Sequence, residues 1–198
     1  MDFFQKVKSQ YDIILASQSP RRKALMEQTG IPFRVLSRPV PESFPDEMSP
    51  DKVVLFLCHE KSRGFETELK KKNVTVITAD TIVVDRDMIL NKPADGEEAF
   101  QMLTRLSGKG HDVLTGVCIR HQKQTVLFFE KTRVYFRPLQ KEEILYYIDH
   151  YKPLDKAGAY GIQEWIGQVG IRKIEGSYLN VVGLPVERVY RELRKLLG

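Results

Sequence analysis

Cysteine is scarce in this 198-residue chain, with only Cys58 and Cys118 present. Two thiols without metal-ligand spacing give neither a disulfide framework nor a thiolate metal site. Both lie among apolar residues and read as buried free thiols, which fits a reduced, cytoplasmic compartment. The four histidines, His59, His111, His121 and His150, form no HxH or HExxH pattern, so a histidine-based metal site is not expected. No GxSxG stretch or Cys/His arrangement marks a covalent nucleophile. No apolar run approaches the roughly 20 residues that span a bilayer. The first residues, MDFFQKVKSQYD, lack the apolar core and small-residue cleavage site of a signal peptide. Internal repeats, low-complexity tracts and linkers are also missing, so residues 1–198 are expected to form one domain, with two lobes at most. A dense basic run is absent too. The net charge of +5 therefore favours small anionic partners without pointing to stable nucleic-acid binding.

What is present alternates between strand and helix signals. DIILA (12–16) reads as a short strand, followed by Ser19 as N-cap, Pro20 at the first helical position and Gly30 as the stop. PFRVLS (32–37) is predicted as a second strand and the proline-rich stretch 38–50 as a loop. Ser49 and Pro50 repeat the cap signal, opening one helix over residues 51–72. VTVITADTIVV (74–84) is a strand buried on both faces. MILNKP (88–93) is a strand or turn, and Asp95 with Glu98 forms a capping box before a helix that Gly108 ends. Residues 111–119 and 124–139 read as paired strands, 141–151 as a helix and the glycine-rich 152–170 as irregular. A last helix starts at Pro185. The order predicts an α/β protein with a mixed β-sheet flanked by helices and a cleft.

Three stretches carry candidate chemistry. In LASQSPRR (15–22) a strand runs into a helix N-terminus, whose backbone N–H groups and dipole favour an anion. Ser17 and Ser19 add hydroxyls, and Arg21 and Arg22 add planar forks suited to phosphate, although the glycines and lysine of a P-loop are missing. The same residues also read as a plain cap with two solvated arginines. Asp80 interrupts an otherwise apolar strand, where a carboxylate must be paired, hydrogen-bonded or bound to a cation. It reads either as a strand-end residue capping a loop or as a general base or ligand for a hard cation. DKAGAYGIQ (155–163) is a loop whose glycines admit close backbone approach and whose Gln163 offers a donor and an acceptor. Taken alone, Glu42, Lys61 and Lys92 read as surface charges, though Pro93 holds Lys92 extended, where it could reach a phosphate.

In order along the chain, ILASQSPRRKALMEQTGIPF, HEKSRG, ITADTIVV, LNKPADGEEAFQMLTRLSGKGHDVLTGV, LDKAGAYGIQ and GSYLNVVGLPVERV resemble the Maf family of nucleoside triphosphate pyrophosphatases. The resemblance implies a Maf/ITPase-like α/β enzyme with two lobes around a deep nucleotide-binding cleft. Such an enzyme is cytoplasmic and often a homodimer. It cleaves a nucleoside triphosphate between the α- and β-phosphates with Mg²⁺ or Mn²⁺, clears unwanted nucleotides and is linked to arrest of cell division. It implies Asp80 as proton acceptor, and Ser17, Arg21, Arg22, Lys61 and Lys92 at the phosphates. Glu42 and Asp80 would hold the cation, and Arg21, Thr81 and Gln163 would separate subgroups by base. The AGAYGIQ form is similar to the subgroup acting on dTTP and UTP. The alternatives are a pyrophosphatase for another base such as 7-methyl-GTP, and a nucleotide-binding division regulator with little catalysis. Two departures stand out: Glu164 and Trp165 replace small residues common after the glutamine, and Glu42 lacks the acidic neighbour often seen.

Overall fold

The computed structural model describes residues 2–198 apart from Glu42 and Asp46. Its elements run α1 (Phe3–Gln10), β1 (Asp12–Leu15), α2 (Pro20–Glu27), β2 (Arg34–Val35), α3 (Pro50–Arg63), α4 (Glu66–Leu69), β3 (Val74–Asp85), β4 (Met88–Leu90) and α5 (Gly96–Leu106). There follow β5 (Gly110–His121), β6 (Gln124–Phe136), α6 (Lys141–Tyr151), two 3₁₀ turns (Pro153–Asp155 and Ala157–Ala159), α7 (Trp165–Gly170), β7 (Ile171–Glu175), α8 (Tyr178–Val182) and α9 (Val186–Leu197). The strands form a mixed seven-stranded sheet in the order β2-β1-β3-β5-β6-β7, with β4 against β3. The β1 ladders to β2 and β3 are parallel, whereas β3–β4 and β6–β7 are antiparallel. The expected mixed α/β architecture is therefore observed.

The chain separates into two compact units. The first comprises Met1–Asp80, Thr115–Glu130 and Gly183–Gly198, and the second Thr81–Leu114 and Lys131–Val182. In the first, Ile14, Ala16, Phe65, Leu69, Val74 and Val76 form a buried cluster on which Leu36 packs. In the second, the apolar stripe of α5 (Ala99, Met102, Leu103 and Leu106) packs with Ile144, Tyr147 and Ile148 of α6 and with Val113, Val134 and Phe136 of the sheet. Among the described residues no helix is long and apolar enough to cross a membrane.

Several local expectations need correction. The strand expected over 32–37 shortens to Arg34–Val35, both exposed at the sheet edge. Pro32 lacks the N–H that a longer ladder would use. The single helix over 51–72 is two helices, α3 and α4, separated at Gly64 and Phe65. Ser49 makes no side-chain cap bond to the helix, and its hydroxyl instead bonds Asp51 and holds that carboxyl below its usual range. By contrast, Ser19 and Asp95 cap α2 and α5 through bonds from Arg22 N and Glu98 N. The returning arm of the Asp95 box goes one residue back, with Glu98 Oε2 accepting from Ala94 N at 2.6 Å. Residues 165–170, expected to be irregular, form α7.

Candidate functional site

The first unit brings five of the candidate residues onto two adjoining strands and the helices that follow β1 and precede β3. β1 ends beside Ile77 of β3, where Ala16 N donates to Ile77 O at 2.8 Å. Three residues on from Ile77 along β3 lies Asp80. It sits in the middle of a twelve-residue strand, not at a strand end as the loop-capping reading required. Only 8% of Asp80 is exposed, and its Oδ1 accepts from the Lys61 ammonium. Lys61 is thus an inward-facing charge on α3 and not a solvated one, with 18% of its side chain exposed. A carboxylate and an ammonium in so dry a place hold each other charged, because either one alone would bear the full desolvation cost.

Two features set the position of that pair. Thr78 lies on the same strand face as Asp80, two residues earlier. Its hydroxyl donates to Cys58 O at 2.6 Å, one helical turn before Lys61. Gly116 of β5 leaves room for the helix: a Cβ there would lie 2.4 Å from Val54 O of α3. Neither Thr78 nor Gly116 carries a sequence signal of its own, since their meaning lies in which helix packs on which strand.

At the strand–helix turn, Ser17 is buried and its Oγ accepts from Ser19 N at 3.2 Å. Arg22 Nε donates to Gly183 O at 2.8 Å, and its Nη1 lies 3.5 Å from Ser17 Oγ. This fixes the guanidinium over the start of α2, beside the serine hydroxyl. Arg21, the next residue of the same first helical turn, is half-buried. The alternative of two merely solvated arginines does not describe Arg22.

The second unit holds Thr81, Lys92 and Gln163. Thr81, half-buried, follows Asp80 on β3, and Lys92 is exposed just after β4. The Lys92 segment abuts the glycine-rich loop, because Gly158 N donates to Asn91 O at 3.2 Å. Gly158 is required there: its φ is +67°, and a Cβ would lie 2.9 Å from Val83. Gln163 Oε1 is buried without a hydrogen-bond partner among the described residues. Beside it, Glu164 accepts from the Tyr147 hydroxyl and lies 3.2 Å from Lys156 Nζ. Burial and the Glu164 carboxylate push the Tyr147 hydroxyl far above its ordinary range, so it stays a donor. Lys156 and Tyr147 were not foreseen as parts of this loop's framework. Trp165 meets Tyr146 edge-on, with ring centroids 4.9 Å apart, and packs on the α5–α6 core.

Glu42 lies outside the described residues. Among those described, no three His, Cys, Asp or Glu side chains are grouped to hold a metal ion. Cys58 and Cys118 are both buried free thiols, and burial pushes both above the ordinary thiol range.

A parallel strand that feeds an arginine-bearing helix start, next to a strand carrying a buried ion-paired aspartate, defines an α/β protein equipped for anionic ligands. Residues 12–196 match the family described as Maf-like protein, and the chain belongs to that family. It is 46% identical over 187 residues to a dTTP/UTP pyrophosphatase of Bacteroides fragilis (strain YCH46), covering 94% of this chain and 96% of that one. A dTTP/UTP pyrophosphatase of Christiangramia forsetii is 45% identical over 194 residues, 98% of each chain. One of Phocaeicola vulgatus is 48% identical over 187 residues, 94% of this chain and 96% of that one.

Proposed function

We propose that this chain is a nucleoside triphosphate pyrophosphatase that hydrolyses dTTP and UTP to the monophosphate and pyrophosphate, with residues 1–198 acting as one catalytic domain. The observation that carries the reading is the buried Lys61–Asp80 pair on the strand next to the Ser17–Arg22 turn. The names of the relatives support the substrate class.

In this reading Ser17, Arg21, Arg22, Lys61 and Lys92 bind phosphate oxygens, and Arg21, Thr81 and Gln163 tell bases apart. Asp80 is the general base. Through Oδ2, the oxygen that Lys61 does not hold, it takes a proton from the attacking water. The water oxygen bonds to the α-phosphorus, and the bond from that phosphorus to the bridging oxygen breaks. Pyrophosphate leaves with the bonding electrons, its charge met by arginine and lysine. Lys61 keeps Asp80 ionised beforehand and fixes its direction.

A divalent cation fits this donor set. Mg²⁺ is commonly held by one or two carboxylates together with substrate phosphates. Asp80 supplies one such carboxylate, and Glu42 is assigned as the other. When bound, the cation would neutralise phosphate charge. The role we assign is removal of unwanted nucleotides, with a possible tie to division arrest. Buried free thiols support a cytoplasmic setting, and the family resemblance supports a homodimer.

The test is release of pyrophosphate and monophosphate from a panel of nucleoside triphosphates with Mg²⁺ or Mn²⁺. Turnover of dTTP and UTP above the other nucleotides is expected. A folded chain that binds nucleotides but releases no pyrophosphate would point instead to a binding regulator.

A further inference from the structure

The loop after the second 3₁₀ turn ends in an amide whose surroundings are unusually fixed. Gly161 N donates to the Tyr147 hydroxyl oxygen at 3.0 Å, and that hydroxyl in turn donates to Glu164 Oε2. The other carboxylate oxygen, Oε1, lies 3.2 Å from the Lys156 ammonium, which is itself 2.7 Å from Asp155. Lys156 is only 8% exposed, so its charge is committed to these two carboxylates. The turn is also tight: a Cβ at Gly161 would lie 2.8 Å from the Glu164 carboxyl carbon and 3.0 Å from Gln163 Nε2. The Gln163 amide therefore stands against a clamped carboxylate and a bare Cα, with its Oε1 buried and unpartnered.

A buried carbonyl oxygen without a donor is costly and is satisfied by a ligand N–H. Uracil and thymine carry a hydrogen on N3, flanked by two carbonyls. Cytosine carries a lone pair there and its donors on the exocyclic amine. An amide free to turn over could serve either base by exchanging its oxygen and nitrogen.

We infer that Glu164, clamped by Tyr147 and Lys156, is a positioning residue that holds Gln163 Oε1 ready to accept the N3–H of uracil or thymine and so rejects cytosine. The inference rests on the reading of Gln163 as the base-contacting residue. It accounts for an acidic residue directly after that glutamine, in a place where a small one would leave the amide unrestrained.

The test measures binding, so it does not depend on turnover. The wild-type chain and the variants Glu164→Ala, Glu164→Gln and Tyr147→Phe are titrated by calorimetry with α,β-methylene-UTP and α,β-methylene-CTP, after circular dichroism confirms their fold. The wild type is expected to bind the uridine analogue about tenfold or more tighter. Glu164→Ala narrows that gap about fivefold, and Tyr147→Phe narrows it in the same direction. Glu164→Gln, which still accepts from Tyr147, keeps more of the gap than Glu164→Ala. Should Glu164→Ala fail to fold, the near-isosteric Tyr147→Phe decides. An unchanged gap in the folded variants overturns the inference. A wild type that binds both analogues equally also overturns it, whereas pyrophosphate release from UTP by that same chain would leave the proposed function standing.

Discussion

Lys61 and Asp80 are joined across the face where α3 lies on β3, one turn and two residues beyond the Cys58–Thr78 bond between the same elements. Two rungs thus fix helix to strand, one neutral and one charged. Removing one member of the charged rung leaves its partner buried and uncompensated. Lys61→Met is expected to cost on the order of 3 kcal/mol in urea unfolding. Lys61→Met with Asp80→Leu should recover part of that loss, because neither charge then remains in the interior. Equal stability of the single and double variants would show that desolvation does not govern the pair.

The neutral rung and the glycine beneath the helix make a separate prediction. Thr78→Val removes a buried hydrogen bond at about 1 kcal/mol. Gly116→Ala forces a methyl into the Val54 carbonyl, at about 1–3 kcal/mol. Because both changes move α3, each should also lower turnover, measured at a temperature where the variant remains folded. Full activity at either position would mean that Lys61 does not depend on the seating of α3.

His111 supplies the pH dependence. Burial, assisted by the positive charge of Arg133, lowers its pKa from 6.5 to about 4, and its Nε2 pairs with the Tyr160 hydroxyl at 2.8 Å. Because the unfolded chain takes up the proton first, stability is whole above about pH 6.5. It falls as the pH drops from about 6.5 towards about 4. The thermal midpoint of the wild type should decline over that window more than that of His111→Gln. Parallel pH profiles for the two would contradict this.

The thiols make a simple check. With Cys58 and Cys118 buried and their ionisation suppressed, the native chain should react slowly with a thiol reagent near neutral pH. Both should react promptly in denaturant. Fast labelling of the native protein would show that one of them reaches solvent.

Much of this was legible in the sequence, because local signals and tertiary packing agree there. Ser19–Pro20 and Asp95 open helices where the cap chemistry says they should. β-branched residues over 74–84 lie within the buried β3. The misses are short elements with weak propensity. α7 has glycines at positions 167 and 170 and forms because the chain packs tightly there: a Cβ on Gly167 would sit 1.9 Å from Ile162 O, and one on Gly170 3.0 Å from Leu139. α1, α8 and β7 were likewise not foreseen. At the site, the motif order picked out Asp80, Lys61 and Gln163. The partners that fix them, Thr78, Tyr147 and Lys156, could not be found by spacing, since each comes from an element remote in sequence from the group it holds.

The most direct test of the central claim is the single-turnover rate of UTP hydrolysis by Asp80→Asn beside the wild type, with Mg²⁺ and with nucleotide binding measured in parallel. The account predicts a loss of roughly 10²–10⁴-fold in a folded protein that still binds UTP. An Asp80→Asn chain that hydrolyses UTP at the wild-type rate would contradict it.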